Sequence, residues 1–240
     1  MRELPILFNG QMVRAILEGR KTQTRRVVKV RGEQPPAWAT FASEGHSPTY
    51  MNTPRPTGLF YWSEEQPSDG ALKTLRRWPI LPPKHAMAGD DYWIPCPHGK
   101  PGDRLWVRET WNWERNAIGA MRDEDGPFAY AAGFASGSSI DGKWRPSIHM
   151  PRWASRITLE IIGVRVERLQ DISEADARAE GVTIEEWHKV GHCLGPGRGA
   201  DQPLSIRAFR ELWDGLNAAC GYGWDANPWL WVIEFRRIEG

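Results

Sequence analysis

The residues of this chain best suited to chemistry lie in one short run, from Gly19 to Val27, with the sequence GRKTQTRRV. The run places Lys21 and Thr24 among three arginines, which are Arg20, Arg25 and Arg26. A threonine hydroxyl becomes a nucleophile when a base takes its proton, and a lysine can be that base once burial or nearby cations lower its pKa. Lys21 and Thr24 are three residues apart, so a helical or tight turn would bring their side chains to the same side. The run therefore indicates either an activated hydroxyl or a phosphate-binding turn, with Arg20, Arg25 and Arg26 as candidate substrate- or nucleic-acid-binding residues.

Two regular elements are predicted to hold this run in place. Apolar residues recur at helical spacing before it, which predicts a helix from Gln11 to Glu18 that stops at Gly19. The segment from Thr24 to Val30 is rich in valine and predicts a strand, and another strand is expected from Pro5 to Phe8. A polar turn between a helix and a strand is a common position for binding or catalytic groups, because the flanking elements hold it still.

The rest of the chain alternates patterned segments with two loop-rich insertions, at about 31–100 and 112–150. Further strands are predicted at Leu105 to Trp111, around Phe128 to Ala131, at Arg156 to Leu169 and at Trp229 to Arg237. Further helices are predicted from a Ser173 cap to Gly181, from Thr183 to Trp187, and from a Ser205 cap onward. Strands that flank a few helices without regular alternation indicate an α+β fold: a small, partly open β-barrel with flanking helices, formed by residues 1–240 as a single domain.

The overall composition excludes several classes of protein. The 240 residues carry a formal net charge of +1, which argues against a uniformly basic surface and leaves local basic patches, such as the one from Arg14 to Arg31. Three cysteines are too few and too scattered for a disulfide framework, so a reducing cytoplasm fits best. No segment resembles a signal peptide or a membrane span, and no membrane partner is expected. Most of the 14 tryptophans are interpreted as core residues, although those beside charged residues could stack on bases.

A second basic and aromatic segment runs from Trp144 to Arg156. It combines arginines with a histidine and two tryptophans, a mixture suited to phosphate contact and base stacking. Its candidate nucleic-acid-binding residues are His149, Arg152, Trp153 and Arg156. The alternative is that its tryptophans are buried and its arginines only line a rim.

The cysteines and histidines do not predict a metal site. Cys96 and His98 flank Pro97, and His192 precedes Cys193, but neither pair has the Cys-x-x-Cys spacing of common zinc knuckles. No metal ion and no other cofactor is therefore expected.

Four motifs, taken together and in order, resemble those of ASCH-domain proteins. They are Gly-Arg-Lys-Thr-x-Thr-x-Arg at 19–26, Pro-Gly-Asp at 101–103, Ser-Glu-Ala-Asp-Ala-Arg-Ala-Glu-Gly at 173–181 and Val-Ile-Glu-Phe at 232–235. In overall appearance the chain is similar to the larger ASCH proteins encoded by phages and prophages. The resemblance implies a fold related to the PUA RNA-binding domain.

The resemblance also implies roles for three residues. In the small bacterial members of the family that hydrolyse N4-acetylcytidine, a lysine and a threonine of the first motif and a glutamate late in the capped helix are the proposed catalytic residues. These positions correspond to Lys21, Thr24 and Glu180. In the implied reaction Thr24 attacks the acyl carbonyl, Lys21 accepts its proton, and Glu180 passes a proton to the departing amine.

Three functions remain open at this point. The first is hydrolysis of an acylated cytidine-type nucleoside or modified nucleic-acid base, and the second is binding of RNA or DNA without catalysis, since a shared fold does not transfer an activity. The third, a ribonuclease, is less favoured because the chain shows no obvious paired histidines for acid and base catalysis. The expected partner in each case is a modified nucleoside, RNA or DNA.

Overall fold

The computed structural model describes residues 1–29, 40–43, 59–63, 94–113, 127–134, 143–183 and 202–238, and of 40–43, 59–63 and 94–95 it describes the backbone. Strands and helices both occur in these residues, which confirms the predicted α+β class. In chain order the strands are β1 (Glu3–Leu7), β2 (Gln23–Val27), β3 (Thr40–Ser43), β4 (Leu59–Ser63), β5 (Ile94–Pro95), β6 (Arg104–Arg108), β7 (Trp111–Trp113), β8 (Phe128–Tyr130), β9 (Thr158–Arg168) and β10 (Trp229–Ile238). The α-helices are α1 (Gly10–Leu17), α2 (Glu174–Ala179) and α3 (Leu204–Asn217).

Five of these strands form the main sheet, in the order β1-β6-β9-β10-β2. β1 lies parallel to β6, with Glu3 opposite Arg104, and the other neighbours are antiparallel. β10 pairs along its length with β9, and on its other side it places Ile233 opposite Thr24 of β2. The last described strand of the sequence therefore holds β2 in the sheet.

The main sheet is open, since β1 and β2 are its two edges and no backbone ladder joins them in the described residues. A side chain links these edges instead. Arg26 of β2 donates a hydrogen bond from Nη2 to the carbonyl oxygen of Leu7 at the end of β1, at 2.6 Å. The sheet is thus curved enough to bring its first and last strands within reach of one arginine.

Two apolar clusters attach the longer helices to this sheet. Val13 and Ile16 of α1 pack with sheet residues such as Ile233. Phe209 of α3 packs with Leu230 of β10 in the second cluster. Full burial of side chains of this size contributes roughly 1.5–3 kcal/mol each, so the clusters fix both helices firmly. Several tryptophans are core residues, as the sequence suggests, namely Trp106, Trp111, Trp213, Trp224 and Trp231.

Two predictions about the elements are wrong, and they concern β6 and α3. The predicted strand from Leu105 to Trp111 is two strands, because after Arg108 the chain leaves the main sheet and β7 pairs with β8. The predicted loop-rich insertion at 31–100, most of which lies outside the described residues, contributes the short strands β3, β4 and β5 of a small sheet. Ser205 does not cap α3, because Pro203 occupies the cap position, and the buried Ser205 hydroxyl lies 3.3 Å from a carboxylate oxygen of Glu174.

Two other predicted elements are a short strand and a short helix. The strand predicted around Phe128 to Ala131 is β8. The short helix predicted from Thr183 to Trp187 lies outside the described residues, apart from Thr183 itself. Among the helices that the structure describes, none combines the length and the apolar character needed to cross a membrane.

Candidate active site

Lys21 is positioned by the end of α1. Gly19 follows that helix with a φ of 74°, in the left-handed region that favours glycine. The carbonyl oxygen of Ala15 then accepts hydrogen bonds from the backbone N–H groups of Arg20, at 2.9 Å, and of Lys21, at 3.0 Å. These bonds turn the chain sharply out of the helix and hold Lys21 at the entry to β2.

Glu180 is positioned by α2, far along the sequence. Ser173 caps this helix as predicted, since its hydroxyl oxygen accepts a hydrogen bond from a backbone N–H of the first turn at 3.1 Å. Glu180 directly follows the helix and forms an isolated β-bridge with Lys21. The N–H of Thr22 also donates to the carbonyl oxygen of Ala179 at 2.9 Å. Backbone contacts therefore hold the two sequence motifs side by side.

The side chains of Lys21 and Glu180 form a buried ion pair. Lys21 Nζ lies 2.7 Å from Glu180 Oε2 and donates a second hydrogen bond to the Glu180 carbonyl oxygen at 2.9 Å. The two side chains are 0% and 4% exposed. Burial lowers the pKa of Lys21 from its ordinary value, and the attraction of the Glu180 carboxylate opposes this effect only in part. The lowered pKa makes it easier for Lys21 to lose its proton and to act as a base.

Arg25 completes the polar cluster around Glu180. Its Nη1 lies 3.2 Å from Glu180 Oε1, and its Nη2 lies 3.0 Å from Glu167 Oε2 and 3.6 Å from Asp176 Oδ2. The Arg25 side chain is fully buried. Its guanidinium is therefore shared by three carboxylates of the protein itself and helps to fix Glu180 in place.

A cavity of about 800 Å³ opens beside this cluster. Thr24 and Glu180 both line it, together with Arg25 and Arg26. The other lining residues come from the end of β1, the start of α1, the region after Arg26, three loops, and α3, and they are Leu7, Phe8, Asn9, Met12, Val27, Lys29, Pro97, His98, Thr110, Ser147, Phe209, Leu212, Trp213, Leu216 and Asn217. A space of this volume is typical of small-molecule sites. Two of the three predicted catalytic residues thus line one cavity, and the third, Lys21, contacts it through Glu180.

Lys21 and Thr24 are not related by a turn. Both are extended, Lys21 in the β-bridge and Thr24 within β2, and residues three apart in a regular strand point to opposite faces. Gln23 is two residues from Lys21 and therefore lies on the same face of the extended chain. Its side chain donates a hydrogen bond to the carbonyl oxygen of Asp176 in α2 at 2.9 Å. Within the described residues, Lys21 Nζ hydrogen-bonds to Glu180 and not to Thr24. The expectation that a helical or tight turn pairs the two side chains is wrong.

Three arginines predicted to bind the ligand do not line the cavity. They are Arg20, Arg152 and Arg156, and each forms an ion pair. Their partners are, in order, Glu18 at 2.6 Å, Glu3 at 3.0 Å and Glu109 at 2.9 Å. Their guanidinium groups are thus engaged with carboxylates of the protein, away from the described cavity lining.

His149 and Trp153, the other candidate binding residues of the second basic and aromatic segment, do not line the cavity either. His149 is exposed. Trp153 packs edge-on against buried Trp111, with 5.8 Å between ring centroids, and keeps 38% of its surface exposed. Ser147 does line the cavity. The segment therefore borders the site through a serine and not through the residues predicted to bind.

His98 belongs to the site, although its sequence context suggests only a weak metal ligand. It lines the cavity, and burial, with a smaller contribution from nearby Arg26, lowers its pKa to about 4. It is therefore a neutral imidazole at pH 7, able to donate or accept a hydrogen bond. Burial raises the pKa of neighbouring Cys96 to about 12, so that thiol stays protonated. No group of three metal-ligating side chains occurs in the described residues, and His192 and Cys193 lie outside them.

The low pKa of His98 predicts a specific loss of stability in acid. An unfolded chain binds a proton at histidine near pH 6.5, so between pH 6.5 and about 4 the unfolded state holds more protons at this residue and stability falls with the pH. We expect the wild-type protein to lose about 1–3 kcal/mol more than His98→Gln between pH 7 and pH 4, since one pKa unit corresponds to about 1.4 kcal/mol. Urea unfolding of both proteins at the two pH values measures the difference. Equal losses would contradict the burial of this imidazole.

Known proteins give no independent identification of the site. None of the family models, curated proteins and solved structures compared with the chain matches it. The function is therefore inferred from the side chains that meet at the cavity.

Proposed function

We propose that the chain is an ASCH-type protein whose cavity hydrolyses the amide bond of an acylated cytidine-type nucleoside or base. The observation that carries the proposal is the Lys21–Glu180 pair, at 2.7 Å, with Glu180 and Thr24 lining one cavity. The motifs that supply these residues are far apart in sequence and meet at this point. A curved sheet whose edges are bridged by Arg26 is also compatible with a partly open barrel of the PUA type.

Lys21 and Glu180 supply the base and the acid of the reaction. In the neutral form of the pair, Lys21 is an amine and Glu180 is a carboxylic acid. Burial lowers the pKa of Lys21, which favours its amine form. In this form of the pair Lys21 can accept a proton and Glu180 can donate one.

The first half of the reaction transfers the acyl group to Thr24. Its hydroxyl oxygen attacks the acyl carbonyl carbon, and Lys21 takes the hydroxyl proton. Glu180 gives its proton to the amide nitrogen as the carbon–nitrogen bond breaks, so the cytosine amine leaves neutral. Lys21 does not contact Thr24, so the hydroxyl proton, and the proton that Lys21 later returns, pass through the Glu180 carboxyl group, which lines the cavity with Thr24 and lies 2.7 Å from Lys21 Nζ. The protein then carries an ester on Thr24 and the charged form of the pair.

The second half of the reaction hydrolyses this ester. Glu180, now a carboxylate, takes a proton from a water molecule that attacks the ester carbonyl carbon. Lys21 returns a proton to the Thr24 oxygen as the ester bond breaks. The products are the free carboxylic acid and the protein with its Lys21–Glu180 pair in the starting neutral form.

The rest of the cavity suits a nucleobase. Phe209, Leu212 and Trp213 of α3 give it an apolar wall, against which a planar base can pack. His98 and Asn9 add side chains that can form hydrogen bonds with polar edges. A volume of about 800 Å³ is sufficient for a nucleoside with an acyl group.

A second candidate is binding of RNA or DNA without catalysis. It is favoured by the charges of the described lining, where Arg25, Arg26 and Lys29 stand against one acidic residue, Glu180. In that case the Lys21–Glu180 pair would be structural. The two candidates differ in whether an acylated nucleoside is turned over.

The test is turnover of N4-acetylcytidine by the purified protein, with cytidine separated by chromatography. We expect Thr24→Val, which keeps the shape of threonine without its hydroxyl, to lower turnover at least about 100-fold. Thr24→Ser keeps a hydroxyl and should retain most of the activity. Lys21→Arg keeps the charge but cannot serve as a base at neutral pH, and it should lose activity as Thr24→Val does.

Valine is favoured in strands, so Thr24→Val should remain folded, which circular dichroism checks. Wild-type turnover by a folded Thr24→Val protein would remove Thr24 as the nucleophile. A wild-type protein that binds RNA and releases no cytidine would support the second candidate instead.

A further inference from the structure

We propose that the ligand of this cavity carries a phosphate group, bound by Arg26 and Lys29. The inference deepens the proposed function and rests on it in one respect, the acylated base. It names the substrate class as a cytidine nucleotide, free or within a nucleic-acid strand, rather than an uncharged nucleoside.

Two adjacent arginines of β2 use their charge differently. Arg25 contacts three carboxylates of the protein. Within the described part of the chain Arg26 contacts none, and its Nη2 donates to the neutral carbonyl group of Leu7 at 2.6 Å. The Arg26 guanidinium carbon lies 5.2 Å from the centroid of the Phe8 ring. A guanidinium has five N–H donors in a planar fork, so Arg26 keeps donors for an anionic ligand with two oxygens.

Arg26 is half-buried at the cavity wall, which strengthens this argument. Burial at the cavity wall lowers its pKa from the ordinary value, and the charge of Glu180 offsets that effect only in part. A cation that has lost water in this way gains more from a contacting anion than a cation on the open surface does. A phosphate against Arg26 would supply the interactions that the surrounding protein does not.

Lys29 adds a second cation to the same cavity. It follows β2, is exposed, and has its Nζ 6.0 Å from the centroid of the Tyr222 ring, with no carboxylate partner among the described residues. Asn9, the N-cap of α1, also lines the cavity, so the positive end of this helix adds to the local field. An ammonium group, a guanidinium group and a helix start thus border one space.

The acidic residue of the lining does not cancel this positive charge. Glu180 is 2.7 Å from Lys21 and 3.2 Å from Arg25, so both oxygens of its carboxyl group already have partners in the protein. Arg26 and Lys29 remain as the lining cations without such a partner in the described residues. The part of a nucleotide that fits these two cations is its phosphate group, whose oxygen atoms carry one or two negative charges.

The experiment is isothermal titration calorimetry at low salt with three ligands that lack an acyl group and therefore are not hydrolysed. They are cytidine, cytidine 5′-monophosphate, and a short single-stranded oligocytidylate without a terminal phosphate. We expect the monophosphate to bind the wild-type protein at least about tenfold more tightly than cytidine, with a preference that falls as salt is added. Tighter binding of the oligonucleotide than of the monophosphate would assign the site to a strand, and the reverse order would assign it to a free nucleotide.

Arg26→Gln and Lys29→Gln should each reduce the ratio of the two dissociation constants, cytidine to monophosphate, to less than about threefold. Lys29 is exposed, so its variant should fold even if that of Arg26 does not. Arg236→Gln is the matched control, because it removes the same charge from an exposed arginine paired with Glu160, and it should keep the tenfold ratio.

Equal binding of cytidine and its monophosphate, no binding of any of the three ligands, or a preference that persists in both variants would overturn the inference. The turnover assay with N4-acetylcytidine separates this result from the proposed hydrolysis. A phosphate preference without turnover leaves the phosphate site and removes the hydrolase. Turnover without a phosphate preference leaves the hydrolase and removes the phosphate site.

Discussion

Glu180→Gln is expected to lower the free energy of unfolding by about 3–5 kcal/mol, because it removes the carboxyl group that two fully buried side chains, Lys21 and Arg25, contact. The pair is 2.7 Å long and its side chains are 0% and 4% exposed, so water cannot replace the missing partner. Urea unfolding followed by tryptophan fluorescence measures the loss. Turnover should fall with it, since Glu180 is the proposed acid.

A matched control and a double variant separate the two roles of this pair. Glu160→Gln removes the same charge from a pair with Arg236, in which the arginine is 68% exposed, and should cost about 0–1 kcal/mol. Lys21→Met combined with Glu180→Leu replaces both members of the pair by apolar groups and should restore part of the stability without turnover, since Arg25 keeps its contacts with Glu167 and Asp176. A loss for Glu180→Gln no larger than that of the control would show that the pair is not a buried ion pair.

Gly181→Ala is expected to lower the free energy of unfolding by about 3 kcal/mol and to abolish turnover. Gly181 has a φ of 88°, which costs other residues about 1–2 kcal/mol. A Cβ atom at this position would lie 2.8 Å from the Cβ of Ala15 and 2.9 Å from the Cβ of Lys21, and such overpacking costs about 1–3 kcal/mol more. Relief of the overlap must move Lys21 or α1, and either shift disturbs the pair with Glu180.

Gly221→Ala provides the control for backbone strain. Gly221 has a φ of 83°, almost that of Gly181, but nothing lies within 4 Å of an added Cβ atom. In this variant the free energy of unfolding should fall by only about 1–2 kcal/mol, the cost of the left-handed backbone, and turnover should be unchanged. Equal losses in the two glycine variants, again measured by urea unfolding, would mean that the contact of Gly181 with α1 and Lys21 is not tight.

The elements that carry the site were predictable where their signal is local. The helix expected from Gln11 to Glu18 is Gly10–Leu17, and the strand expected from Trp229 to Arg237 is Trp229–Ile238. Periodicity, a cap and a terminal glycine are all properties of consecutive residues, so they can be read without knowledge of the fold. The same reasoning identified Ser173 as the cap of the helix that leads to Glu180.

The direction of side chains at the site could not be predicted in this way. Residues three apart converge in a helix and diverge in a strand, so the relation of Lys21 to Thr24 depends on where the helical conformation ends. That point is set by the hydrogen bonds that the Ala15 carbonyl oxygen accepts and by the bridge to Glu180, which is remote in sequence. Spacing alone therefore predicted a contact that the structure does not form.

The residues that line the cavity could not be predicted from the sequence, for a related reason. Phe209 and Trp213 have the pattern of an ordinary inward helix face, and they do pack in a core, but they also form a cavity wall. His98 lies between a proline and a glycine in a loop, where no periodicity marks it as a site residue. Such residues are brought to the cavity by tertiary packing, for which a single sequence contains no local signal.

The place of β10 between β9 and β2 also sets the order in which the protein can assemble. In the described sheet β2 pairs with β10 alone, with Val27 opposite Leu230. At roughly 5–20 residues per second, a ribosome needs roughly 10–40 seconds to reach β10 after it has made β2. During that time β2, with Thr24 and Arg26, has no strand to join, and pairings this distant in sequence are slow to form. The cavity wall that β2 contributes is therefore completed only when β10 enters the sheet.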